Sequence, residues 1–259
     1  MDLQLRDTRA LITGSTQGIG FAIAEALASE GAAILLNGRD AARTQTAAER
    51  LRALVPGADV DVAPGDVADP AALTGLPEVD ILVNNAGAFG LNEFADADDA
   101  EWQRYLDVNL TAGVRLSRRV LPGMLERGWG RILFISSESG VNVPADMIPY
   151  GVSKAATIAL GNGLAKLTRG TQVTVNTVLG GPTYSDGVAT VIGSIAAAQG
   201  VPADAVAASV IGRNTTTLLQ RFIRPEEIAA LVAFLASPRA SAINGAALRA
   251  DGGVLTGML

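Results

Sequence analysis

Short apolar runs alternate with longer stretches of helical period along almost the whole chain. Runs at Arg9 to Ile12, Ala33 to Leu36, Val60 to Ala63, Ile81 to Val83, Ile132 to Ile135 and Val173 to Val178 are short and strand-like, so they predict strands. A seventh strand is expected near Ala246 to Arg249. Between them, Ile19 to Ser29, Asp40 to Leu54, Ala97 to Arg127, Pro149 to Leu167 and Pro225 to Leu235 carry a helical pattern. Strand and helix in strict succession imply right-handed crossovers, hence a seven-stranded, mostly parallel sheet covered by helices on both faces. The expected fold is α/β and doubly wound. No repeat, charge block or Ser/Pro linker divides the pattern, which predicts a single domain over residues 1–259.

One segment fits the alternation poorly. From Gly187 to Gly212 the chain is rich in Ala and Val, Asp204 is its only charge, and Gly, Gln and Pro interrupt any long helix. An apolar insertion at the carboxyl edge of such a sheet, where ligands bind, predicts a substrate lid over about residues 186–212. An oligomer contact is the plainer alternative.

Composition narrows the chemistry. The 259 residues include no Cys and no His, which excludes disulfides, Cys/His zinc sites, Ser-His-Asp and Cys-His triads, and histidine acid/base catalysis. No metal site is expected. The net charge of −6 argues against nucleic-acid and anionic-membrane partners. The longest purely apolar run, Ile228 to Ala236, is too short to span a bilayer, and the charged start Met1 to Asp7 does not read as a signal peptide. A cytoplasmic protein is the expectation.

The first strand runs into Thr13-Gly14-Ser15-Thr16-Gln17-Gly18-Ile19-Gly20 and then a helix. Glycines there permit a tight turn and let backbone approach a diphosphate at the helix amino terminus, the signature of a Rossmann-type dinucleotide site. About 20 residues on, where an acidic group would read a free ribose 2′-hydroxyl, the chain has Asn37-Gly38-Arg39. Arg39 suits a 2′-phosphate, so NADP(H) is expected in preference to NAD(H), which stays possible. Gln17 adds no second positive charge. Asp66 and Val67, after the third strand, are placed to meet the adenine. Asn84-Asn85-Ala86-Gly87 follows the fourth strand as a close-approach turn, with Asn84 expected to brace the neighbouring strand. Tyr150 and Lys154 lie four apart on one helical face.

Together, the glycine turn at 13–20, Asn-Asn-Ala-Gly at 84–87, Ile135-Ser136-Ser137 and Tyr150-Gly151-Val152-Ser153-Lys154 resemble the short-chain dehydrogenase/reductase family, short reductase branch, over nearly the whole chain. The resemblance implies catalytic roles for Asn109, Ser137, Tyr150 and Lys154. Ser137 fits the family's serine better than Ser136. Cofactor contacts are implied for Gly14, Ser15, Gln17, Gly18, Ile19, Gly20, Arg39, Asp66, Val67, Asn85, Ala86, Gly87, Tyr150, Lys154, Pro182, Thr183 and Ser185. Tyr150 is the expected proton donor and acceptor, its pKa lowered by Lys154 and by an oxidised nicotinamide. Ser137 is expected to donate to the substrate oxygen and Asn109 to hold a water beside Lys154.

Two departures stand out. Gly180 replaces a usual Pro and Ser185 a usual Thr, predicting a more mobile loop there. Glu138 and Tyr184 are candidates to line the pocket, and the Ala/Val-rich segment suggests an apolar or moderately sized carbonyl substrate. The implied activity is interconversion of a ketone or aldehyde with an alcohol. The alternatives are NAD(H)-linked oxidation of a secondary alcohol and a non-enzymatic dinucleotide-binding regulatory protein. Family members pair helices, so a homodimer or homotetramer is implied.

Overall fold

The structure, a computed structural model, describes residues 1–258. Its strands are β1 (Arg9–Ile12), β2 (Ala33–Leu36), β3 (Val60–Val62), β4 (Ile81–Asn84), β5 (Trp129–Ser137), β6 (Gln172–Gly180) and β7 (Ala247–Ala250). Its α-helices are α1 (Gly18–Ser29), α2 (Ala41–Leu54), α3 (Asp99–Leu106), α4 (Ala112–Arg127), α5 (Ile148–Ala165), α6 (Asp186–Gln199), α7 (Ala203–Arg213) and α8 (Pro225–Ala236).

All seven strands form one sheet in the order β3-β2-β1-β4-β5-β6-β7, and every neighbouring pair is parallel. The sheet is therefore wholly parallel rather than mostly so. Parallel strands are covered on both faces, which explains their short, continuous apolar runs. Ile12, Ile34, Leu36, Ile81, Val83, Leu133 and Val178 face one core, closed by α1 and α8. Leu11, Leu35, Leu82, Ile132, Phe134 and Val175 face the other, with α4 and the end of α5 over it. Strand order reverses between β1 and β4, so the crossovers that follow these two strands run in opposite directions and leave a crevice at the carboxyl edge.

The helix expected over Ala97 to Arg127 is continuous from Asp99 to Arg127, with one irregular turn inside it. Between α3 and α4, Asp107–Thr111 forms a π-helical turn, which adds a residue to the helical circuit and re-aims the side chains on it. β5 and β6 run to nine residues each, beyond the apolar stretches Ile132 to Ile135 and Val173 to Val178. Pairing continues through Ser136↔Leu179 and Ser137↔Gly180, polar and glycine positions that carry no strand pattern. Gly180 also pairs with Ala250 in β7, so it lies within the sheet and not in a mobile loop. The missing proline is what leaves this position free to keep strand pairing on both sides.

The segment after β6 forms two helices, α6 and α7, bent by 112° across Gly200 to Pro202. Gly200 caps α6 in the left-handed conformation, φ 66°, and Pro202 stands just before α7. Ile192, Ala196 and Val206 pack between them as a separate small core. Among the described residues no single helix is long and apolar enough to cross a membrane.

Candidate active site

The site assembles at the carboxyl ends of β1, β4, β5 and β6. The glycine turn after β1 is packed directly on the turn after β4. A Cβ added at Gly20 would stand 2.4 Å from the Gly14 carbonyl oxygen and 2.5 Å from Asn85 Nδ2, so only glycine fits there. Asn85 Nδ2 donates to the Thr13 and Gly14 carbonyls at 2.8 and 3.0 Å, and the Asn85 and Ala86 amides both donate to Thr13 Oγ1 at 2.9 Å. Asn85 is thus the brace. Asn84, expected in that role, makes no side-chain hydrogen bond within the protein, because its amide faces Gly113 of α4 rather than the adjoining strand.

The first amide of α1 already holds an anionic oxygen. Gly18 N–H donates to Asp186 Oδ2 at 2.6 Å, which brings the start of α6 onto the glycine turn. A helix amino terminus favours negative charge through its free N–H groups and dipole. Ser185 caps α6 by accepting from the Val188 amide, so its hydroxyl serves the helix. Pro182 and Thr183 are tied down beside it: Ile223 N–H donates to the Pro182 carbonyl at 2.8 Å, and Thr183 Oγ1 to the Gly181 carbonyl at 2.8 Å.

A second group of residues lies at the outer end of the crevice. Asn37 Nδ2 donates to the Ala63 and Gly65 carbonyls and its Oδ1 accepts from Gly14 N–H, lacing the ends of β1, β2 and β3 together. Asp66 Oδ1 accepts from the Ala68 amide, and Val67 is buried. Arg39 is exposed. Arg43, one turn into α2, donates to Gln17 Oε1 at 2.8 Å. The second positive charge that the glycine turn lacks therefore arrives from α2. Its signal in the sequence was the four-residue spacing from Arg39 behind an Asp N-cap.

The structure brings Asn109, Ser137, Tyr150 and Lys154 into one cluster. Asn109, in the π turn, accepts from Ala88 N–H at 2.7 Å and donates to the Ala88 carbonyl at 3.0 Å and to Ser153 Oγ at 2.8 Å. Ser153 Oγ in turn donates to the Tyr150 carbonyl at 2.6 Å. Lys154 Nζ is buried, donates to the Ile135 carbonyl at 2.8 Å, and lies 5.7 Å from the Tyr150 ring centroid. A Cβ at Gly87 would sit 3.4 Å from Asn109 Oδ1 and 3.5 Å from Lys154 Nζ, so its absence keeps a small polar space open between them. Ser136 donates to the Lys154 carbonyl and is taken up by α5, leaving Ser137 as the serine of the cleft.

Electrostatics correct one expectation. The protein alone does not lower the Tyr150 pKa: burial pushes the phenol up to about 12, Ser137 pulls the other way, and the Glu138 carboxylate adds to the rise. Burial also pulls Lys154 down to about 8, with no carboxylate paired to it. Tyr150 packs edge-on against buried Tyr105, centroids 6.4 Å apart, whose hydroxyl donates to Asn92 Oδ1 at 2.9 Å. Tyr105 and Asn92 were not foreseen from sequence. They anchor the loop after β4, where Asn92 bridges to Met147 at the start of α5. Tyr184 stacks edge-on against Phe222 at 5.6 Å and remains partly exposed.

The chain is similar to known proteins in sequence and in fold. A family model described as short chain dehydrogenase matches residues 8–194. The chain is 45% identical to the uncharacterized oxidoreductase YvrD and 44% identical to the uncharacterized oxidoreductase YvaG, both of Bacillus subtilis (strain 168). These matches cover 98% of this chain and 99% and 98% of those proteins. Among solved structures, L-sorbose reductase from Gluconobacter frateurii, complexed with NADPH and L-sorbose, superimposes with a TM-score of 0.93 at 33% identity, over the full length of both chains.

Proposed function

The chain belongs to the short-chain dehydrogenase family and is an oxidoreductase, and from that premise we propose that it interconverts a ketone or aldehyde with an alcohol, using NADP(H) in preference to NAD(H). The observation that carries this reading is the convergence of Asn109, Ser137, Tyr150 and Lys154 on one end of the sheet, next to a glycine turn that binds an anionic oxygen. NADPH and L-sorbose in the similar reductase support it.

The residues present fit a dinucleotide. Gly14, Ser15, Gln17, Gly18, Ile19 and Gly20 would take the diphosphate, with Asp186 giving up the Gly18 amide to it. Arg39 and Arg43 would share the 2′-phosphate. Asp66 and Val67 would meet the adenine, and Asn85, Ala86 and Gly87 would lie along the ribose. Pro182, Thr183 and Ser185 would hold the carboxamide. When bound, the reduced nicotinamide supplies the hydride that the carbonyl carbon accepts.

The protein's own groups manage the proton. Tyr150 Oη, neutral at pH 7 as any tyrosine is and held more firmly so by burial, gives its proton to the carbonyl oxygen. Ser137 Oγ donates to the same oxygen as negative charge grows there. Lys154, still protonated at pH 7, stabilises the phenolate left behind. The space beside Gly87, flanked by Asn109 Oδ1 and Lys154 Nζ, suits a water that returns a proton from solvent. α6 and α7, which start at Asp186 beside the glycine turn, would form the lid over residues 186–212.

The test is reduction of a panel of ketones and aldehydes followed at the reduced-nicotinamide absorbance, with NADPH and NADH in parallel. Oxidation of NADPH at the lower KM supports the reading. Tighter use of NADH would replace the cofactor assignment, and no turnover with either would refute the activity.

A further inference from the structure

Glu138 follows the cleft serine and is occupied in a way the reaction cannot leave undisturbed. Ser137 Oγ donates to Glu138 Oε2, and the Ser139 amide donates to the same carboxylate oxygen at 2.9 Å and to Ser137 Oγ at 3.1 Å. A serine has a single proton. If Ser137 gives it to the substrate oxygen, it must withdraw it from Glu138, whose half-buried carboxylate then loses a donor. Glu138 has no cation to compensate: among the described residues none of the ion pairs involves it. Its charge is also felt at Tyr150. A half-buried carboxylate that loses a hydrogen bond costs free energy unless another donor takes its place.

We propose that Glu138 determines substrate class: it accepts a hydrogen bond from a hydroxyl on the carbon next to the carbonyl, so that the preferred substrates are neutral α-hydroxy ketones and keto acids are rejected. The substrate hydroxyl replaces the proton that Ser137 withdraws, and every polar group in the cleft stays paired. A carboxylate at the same position offers no donor and brings a second negative charge beside Glu138. This narrows the expectation of an apolar or moderately sized carbonyl substrate, and it rests on the oxidoreductase reading above.

The experiment compares propanone, hydroxypropanone and pyruvate, which share one acetyl group and differ only in the adjoining carbon, using the wild-type protein with NADPH. kcat/KM for hydroxypropanone is expected to exceed that for propanone by about tenfold or more, with pyruvate lowest, the size expected for one hydrogen bond to a charged group. Glu138→Gln, which removes the charge, should raise pyruvate relative to propanone by about tenfold, and Glu138→Ala, which removes the acceptor, should erase the preference for hydroxypropanone. The wild-type comparison decides the matter even if a variant fails to fold. Turnover of propanone or pyruvate equal to that of hydroxypropanone overturns this proposal alone. No turnover of any carbonyl compound with either dinucleotide overturns the oxidoreductase reading with it.

Discussion

Lys154 offers a test of the site's electrostatics that needs no substrate. The residue is 6% exposed, and its ammonium bonds only the Ile135 carbonyl and has its pKa pulled from 10.5 to about 8 by burial. In the unfolded chain the same lysine titrates at its ordinary value, so between pH 8 and 10.5 the unfolded state binds more protons and stability rises with pH. Below pH 8 the folded protein carries the full cost of a buried charge. With one pKa unit worth 1.36 kcal/mol, that cost is roughly 3 kcal/mol at pH 7 and falls below roughly 1 kcal/mol by pH 10. Lys154→Met removes the charge at every pH, and adds a constant penalty for the Ile135 carbonyl left without its donor. Urea unfolding of wild type and variant at intervals from pH 7 to pH 10 should therefore show the variant's relative stability declining by about 2 kcal/mol as pH rises. The raised Tyr150 pKa acts in the opposite sense above pH 10 and cancels in the comparison. A stability difference independent of pH would show that Lys154 is not a desolvated ammonium, and the argument for its role beside the phenolate would fall.

Other outcomes follow from the cofactor end of the crevice. Arg39→Ala and Arg43→Ala should each weaken NADPH binding by about tenfold while leaving NADH nearly unchanged, the effect of one charge-assisted bond to a 2′-phosphate; fluorescence titration with both dinucleotides checks it, and equal losses for both would contradict the assignment. Asp186→Asn should tighten NADPH binding, because the carboxylate on the Gly18 amide no longer competes with the diphosphate; unchanged or weaker binding would show that the contact does not oppose the ligand. Gly20→Ala should abolish dinucleotide binding and lower the melting temperature, since its Cβ would meet the Gly14 carbonyl oxygen at 2.4 Å.

The legible parts of this protein were those written locally. β1, β2 and β4 announced themselves because each is a short apolar run between polar turns, and parallel strands buried on both faces leave that mark, whereas the edge strand β3 reads Val-Asp-Val with Asp61 exposed. The glycine turn and Tyr150 with Lys154 were legible as members of a set of motifs in order along the chain, since neither spacing is distinctive by itself. What depended on contacts between distant segments was not. Nothing near Asn109 marks the π turn that re-aims it, and only Ala88 and Ser153 explain its orientation. Arg131, just outside the strand expected at Ile132 to Ile135, is buried and donates to the Gly130, Gln172 and Ser237 carbonyls, tying β5 to the end of α8. The Asp186 contact to Gly18 spans 168 positions of sequence. The raised Tyr150 pKa escaped for the same reason, because its cause is burial, which spacing along a helix does not report.

The central claim is that Tyr150 delivers the proton during reduction, and Tyr150→Phe tests it most directly. The substitution keeps the ring that packs on Tyr105 and removes only the hydroxyl. NADPH affinity, measured by fluorescence, should stay within about threefold of wild type, while single-turnover reduction of a ketone substrate should slow by about a hundredfold or more, as expected for loss of a positioned acid. Reduction at the wild-type rate by a variant that binds NADPH normally would contradict the account and assign the proton to another group in the cleft.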